Sequence, residues 1–83
     1  MQAFQLVLDI RGKRAEEAQS LLQHYIDDAI VLNINEVRIL HGKGNGILRQ
    51  ITREYLAGIK EVKKFQDAPL ESGGSGITMV TFR

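Results

Sequence analysis

No cysteine occurs in the 83 residues, which excludes a disulfide framework and any thiolate-bound metal. The absence fits a reducing compartment. Long apolar runs are missing too. Ala29-Ile30-Val31-Leu32 is among the longest, far short of the roughly 20 residues a membrane-spanning helix needs. The start, MQAFQLVLDI, lacks the basic head and long apolar stretch of a secretory signal. A cytoplasmic protein without a membrane partner is expected. There is no tandem repeat and no linker. A net charge of +1 names no partner by itself. What remains is one domain with a modest core, of ordinary hydrophobic and charged content.

The charge is unevenly placed. Arg11, Lys13, Arg14, Lys43, Arg49 and Arg53 cluster around two loops and the helix starts that follow them, whereas Glu16, Glu17, Asp27 and Asp28 lie along the first helix. Such a local basic patch is compatible with phosphate binding, but composition alone favours an ordinary solvated surface.

Periodicity sets the element order. Phe4, Leu6, Leu8 and Ile10 alternate with Gln5, Val7, Asp9 and Arg11, a strand pattern that Gly12 ends. From Ala15 to Ile30 apolar residues recur at helical spacing, with Asn33 and Asn35 supplying the turn. Glu36 to His41 reads as a second strand. Ile47, Leu48, Ile51, Tyr55 and Leu56 mark a second helix, with Asn45 as N-cap and Gly58 as stop. Val62 to Asp67 and Ile77 to Phe82 read as strands three and four, separated by a mobile Gly/Ser-rich loop over Pro69 to Gly76. The order β-α-β-α-β-β predicts an α/β domain. Helix-linked strands are parallel and the last two antiparallel. With two helices on one face, the other face stays open and exposes Phe65, Met79 or Phe82.

HGKGNG, residues 41 to 46, joins the second strand to the second helix. A glycine loop at a helix N-terminus presents free N–H groups and the positive end of the helix dipole to an anion. Gly44 and Gly46 would let a phosphate come close, with Lys43 adding charge and Arg49 and Arg53 one turn apart on the exposed helix side. The loop is neither a Walker motif nor G-x-G-x-x-G, so mononucleotide binding is not indicated. A tight turn needing positive φ explains the glycines equally well.

LDIRG, residues 8 to 12, ends the first strand. Parallel first and second strands bring Asp9, Arg11, His41 and Lys43 to one sheet edge, where open α/β sheets hold ligands. An acid, a histidine and two cations are the parts of a phosphodiester-cleaving site. Each has an ordinary alternative. Asp9 could cap the first helix or pair with Arg11, His41 could hydrogen-bond a neighbouring loop, and the cations could be solvated. His41 is the natural proton carrier; His24, mid-helix, reads as structural. Zinc is not indicated. A water-rich Mg²⁺ or Mn²⁺ held by Asp9 and a substrate phosphate is the metal reading that remains.

LDIRG, then HGKGNG, then a late GGSGITMV together resemble the Smr (small MutS-related) domain over about Leu6 to Phe82. Arg11, where many members carry histidine, is most like the Smr domain ending the second-class bacterial MutS paralogue. The resemblance implies residues 1–83 are one Smr domain excised from a larger protein that oligomerises through other regions, with Met1 marking the cut. It implies an α+β two-layer sandwich similar to the C-terminal domain of translation initiation factor 3. It also implies nicking endonuclease activity on branched DNA, or on RNA, in recombination suppression or DNA repair. Its alternative is a non-catalytic nucleic-acid or ribosome-binding module in rescue of stalled ribosomes. Asp9 falls on the motif acid, and His41, Gly42 and Gly44 on the HGxG element. Arg11 puts in doubt any mechanism needing histidine there, and Asn45 replaces a usual threonine.

Overall fold

A computed structural model describes residues 3–83; Met1 lies outside them. The order is β1 (Val7–Asp9), α1 (Ala15–Val31), β2 (Glu36–Leu40), α2 (Ile47–Ala57), β3 (Val62–Asp67) and β4 (Ile77–Phe82). This is the expected β-α-β-α-β-β α+β fold. β1 and β2 are parallel, with Asp9 opposite Leu40. β4 inserts between β2 and β3, antiparallel to both, so the sheet order is β1-β2-β4-β3. The α2 crossover therefore skips one strand position.

The core follows the helical period of α1. Ala18, Leu22, Ile26 and Ala29 are buried, spaced by four, four and three residues, on one stripe. They pack with Ile10, Val37, Ile39, Leu56, Val62 and Val80. Val37 and Ile39 alternate on β2 and Thr78 and Val80 on β4, so one sheet face meets both helices. α1 ends where Asn33 takes φ +57°, with Ile34 N–H on the Ala29 carbonyl and Asn33 N–H on that of Ile30. That is a Schellman stop built on asparagine.

The open face is the other one, and it carries the row Val7, Arg38, Met79 and Gln66. Met79 lies there as expected. Phe65 and Phe82 do not: Phe65 pairs with Val80 and Phe82 with Val62, which turns both rings towards the helices. β1 is shorter than predicted. Phe4 stacks on Tyr25 at 4.9 Å, and the Tyr25 hydroxyl donates to the Gln5 carbonyl at 2.6 Å, which draws residues 4 and 5 out of the ladder. Among the described residues, no helix is long and apolar enough to cross a membrane.

The segment expected to be a mobile loop is two short 3₁₀ turns, Leu70–Ser72 and Gly74–Gly76. The Pro69 carbonyl accepts from both Ser72 and Gly74, at 2.8 and 2.9 Å, and pins the first turn. The second turn docks on the HGKGNG loop.

Candidate nucleic-acid interface

Parallel pairing of β1 and β2 delivers residues 9–12 and 41–46 to one edge. The third segment closes on them. The Gly76 carbonyl accepts from His41 N–H at 3.1 Å and Gly42 N–H at 3.0 Å. An added Cβ on Gly76 would stand 3.4 Å from Lys43 Cγ, so the lysine stem runs along the late glycine segment. All three sequence motifs thus meet at one place.

Asp9 and Arg11 form a closed unit. The guanidinium donates through Nε to Oδ1 at 3.0 Å and through Nη2 to Oδ2 at 2.8 Å, and the Arg11 backbone N–H reaches Oδ1 at 3.0 Å. These bonds, the side-chain ones first, hold the Asp9 carboxyl down at about 2. The carboxylate is thus ionised across the physiological range. The side chains stay 48% and 59% exposed, so the pair stands in solvent at the edge. Two of the five guanidinium N–H groups serve Asp9 and three remain for a ligand.

The loop explains its glycines by conformation. Gly42, Gly44 and Gly46 all take positive φ, and Gly42 at +79° lies directly beneath the Arg11 stem. Gly46, not Asn45, occupies the N-cap position of α2. A glycine has no side chain to cap with, so the Asn45 carboxamide takes the Ile47 N–H at 3.1 Å instead. Around the loop lies a cavity of about 170 Å³ lined by residues 41–46, Gly12, Leu48 and Arg49. Lys43 is exposed at its rim and makes no ion pair among the described residues. Lys13 is exposed near Asp9, close enough to help lower its carboxyl. Arg14 is the N-cap of α1, its backbone N–H donating to Glu17 Oε1 at 3.3 Å.

Two sequence expectations shift. His41 does not face the edge as a free proton carrier. It is buried, with Nε2 at 2.8 Å from the Thr78 hydroxyl and Nδ1 at 3.0 Å from the Gly42 carbonyl. Burial is the main cause lowering its pKa, so the neutral ring prevails at pH 7. Arg49 and Arg53 are not on an exposed helix face. Both turn to Asp67: Arg49 donates at 2.9, 3.1 and 3.2 Å, and Arg53 at 2.9 Å while lying 5.4 Å over the Phe65 ring. Asp67 and Thr78 were not singled out from sequence. Thr78 had a visible signal, a hydroxyl on the inward phase of an alternating strand.

The donor set does not suit a divalent metal held by protein alone. Arg11 already donates to both Asp9 oxygens, and among the described residues no three His, Cys, Asp or Glu are grouped.

The Smr domain family model matches residues 8–83. The chain is 50% identical over 76 residues to endonuclease MutS2 of Latilactobacillus sakei, covering 92% of this chain and 10% of that protein. It is 50% identical over 74 residues to endonuclease MutS2 of Streptococcus pyogenes, covering 89% and 10%. It thus spans about a tenth of the length of the curated relatives it matches. The crystal structure of the Smr domain of Thermus thermophilus MutS2 superposes with a TM-score of 0.88 at 42% identity, covering 93% of this chain and 96% of that one. YdaL, a stand-alone small MutS-related protein from Escherichia coli, gives 0.81 at 27% identity, covering 94% and 64%.

Proposed function

Because the chain belongs to the Smr family, we propose that its loop edge grips the phosphate backbone of nucleic acid and nicks one strand of DNA. The observation that supports this most is the exposed Asp9–Arg11 pair laid over the HGKGNG loop beside Lys43, which makes no ion pair among the described residues. Arg11 and Lys43 meet phosphate oxygens. The loop N–H groups and the α2 N-terminus add partial positive charge.

Cleavage of a phosphodiester by water forms one P–O bond and breaks another, and charge builds on the equatorial oxygens between the two. Arg11 and Lys43 stabilise that charge. Asp9, with its carboxyl at about 2, is a poor proton acceptor at pH 7, so its work is to hold the guanidinium plane. His41 supports the loop from below. Such a nick serves repair of DNA or suppression of recombination, on branched substrates, in a parent protein that assembles through other regions and works in the cytoplasm.

The engagement of both His41 nitrogens favours a second reading, a binding module without chemistry that holds RNA or a stalled ribosome through the same cations. A nicking assay on supercoiled plasmid and structured RNA, with Mg²⁺, Mn²⁺ or EDTA, separates the two. Nicking by wild type that Asp9→Asn and Arg11→Ala both lose supports the nuclease. Equal residual cleavage in all three proteins supports the module, and ribosome co-sedimentation then follows.

A further inference from the structure

Thr78 sits fully buried on the inner face of β4, opposite Ile39 and two residues from Val80. A fully buried hydroxyl is costly unless it is bonded. Here it lies 2.8 Å from His41 Nε2. The other ring nitrogen is 3.0 Å from the Gly42 carbonyl, which can only accept. Nδ1 must therefore carry the proton, and Nε2 of the neutral ring accepts from the Thr78 hydroxyl.

Beyond the Gly42 carbonyl the link towards solvent is packing, not a hydrogen bond. Gly42 holds φ +79°, and Arg11 Cγ would stand 3.5 Å from a Cβ placed on it. The Arg11 guanidinium then reaches Asp9. From the 3₁₀ turn just before β4, the Gly76 carbonyl takes the N–H groups of His41 and Gly42. The segment leading into β4 thus holds the loop by a backbone acceptor at Gly76 and, two residues on, by a side-chain donor at Thr78.

We propose that Thr78 is a positioning residue of the loop edge. Its hydroxyl anchors the His41 ring, the ring holds the Gly42 carbonyl, and the left-handed turn stays in place beneath Arg11. The inference rests on the reading of this edge as a nucleic-acid site. It gives His41 a structural use and gives a buried polar strand residue a part in binding.

The test compares wild type, Thr78→Val and Thr78→Ser by amide and imidazole ¹⁵N NMR and by affinity for a duplex oligonucleotide at fixed salt. Valine keeps the shape and removes the donor; serine keeps the donor. The expected result is a shift of the Gly42 and Gly44 amide signals in the valine variant, with affinity reduced about tenfold, the scale of one hydrogen bond. The serine variant should stay within about twofold, since its donor is kept. Unchanged signals and affinity in Thr78→Val overturn the proposal, as does equal damage in Thr78→Ser. Should the valine variant fail to fold, the wild-type ring decides: a protonated Nδ1 with a hydrogen-bonded Nε2 supports the proposal, and a protonated Nε2 overturns it. If wild type binds no oligonucleotide, the nucleic-acid reading fails separately, and the amide signals alone decide whether Thr78 positions the loop.

Discussion

Arg11 lies across Gly42: a methyl group on that glycine would meet the arginine stem at 3.5 Å, while the guanidinium reaches on to Asp9. The contact is of ordinary van der Waals length, so an alanine fits the space. The backbone is the obstacle. At φ +79° an L side chain costs about 1–2 kcal/mol. Gly42→Ala should therefore lower the unfolding free energy by about that amount. Gly76→Ala, outside the left-handed region and with its nearest contact at 3.4 Å, should cost no more than about 0.5 kcal/mol. Denaturant unfolding of the two variants checks the contrast.

The Asp9 carboxyl should titrate at about 2 by carbon-detected NMR, and Arg11→Ala should return it towards 3.8. The sign follows from linkage. A folded value below the unfolded one means the pair adds stability above about pH 4, lost as pH falls towards 2. Arg11→Ala should remove the Asp9 share of that acid slope and leave the share of Asp67, whose carboxyl Arg49 and Arg53 also hold below the usual range. An unshifted carboxyl in wild type would remove the ion pair from the site.

How much of this was legible beforehand depends on which forces set each feature. The element order, the parallel β1–β2 pair and the meeting of LDIRG with HGKGNG follow from local periodicity, and all three stand in the structure. The orientation of Phe65 and Phe82 depended on the register of β3 against β4 and on which sheet face the helices cover, long-range choices that strand alternation alone does not fix. The same holds for Arg49 and Arg53. Helical spacing placed them one turn apart, but only the end of β3 supplies the carboxylate that captures both. Gly73 and Gly74 signalled a break in the chain, and the structure uses their positive φ to build two tight turns.

Asp67 restrains two cations that could otherwise meet phosphate. Asp67→Asn should free Arg49 and Arg53, raise affinity for duplex DNA and steepen the slope of log K against log salt by about 1–2. Stability should fall by no more than about 1 kcal/mol, because the pairs are roughly a third exposed and water screens them. Affinity measured at several salt concentrations, with one melting curve, checks both. An unchanged slope would mean the freed arginines do not reach the nucleic acid.

His41 should act on stability before it acts on chemistry. His41→Ala strands the Thr78 hydroxyl and the Gly42 carbonyl, and should cost about 2–3 kcal/mol. Burial lowers the folded pKa below 6.5, with Arg49 and Arg53 adding to the effect while the Gly42 carbonyl and Asp67 oppose it. The neutral buried ring thus stabilises the fold above about pH 6.5, and that contribution falls as pH drops towards the lower folded value. Unfolding curves between pH 5 and 8 should show this slope in wild type and lose it in His41→Ala.

The central claim is the location of the interface, and chemical-shift mapping of the domain with duplex DNA tests it most directly. Perturbed amides should gather at residues 9–13, 42–46 and 74–76, and weaken together in Arg11→Ala. Perturbations confined to the open sheet face around Arg38 and Met79, or to the opposite end around Asn33 and Lys60, with the three glycine-bearing segments silent, would contradict it.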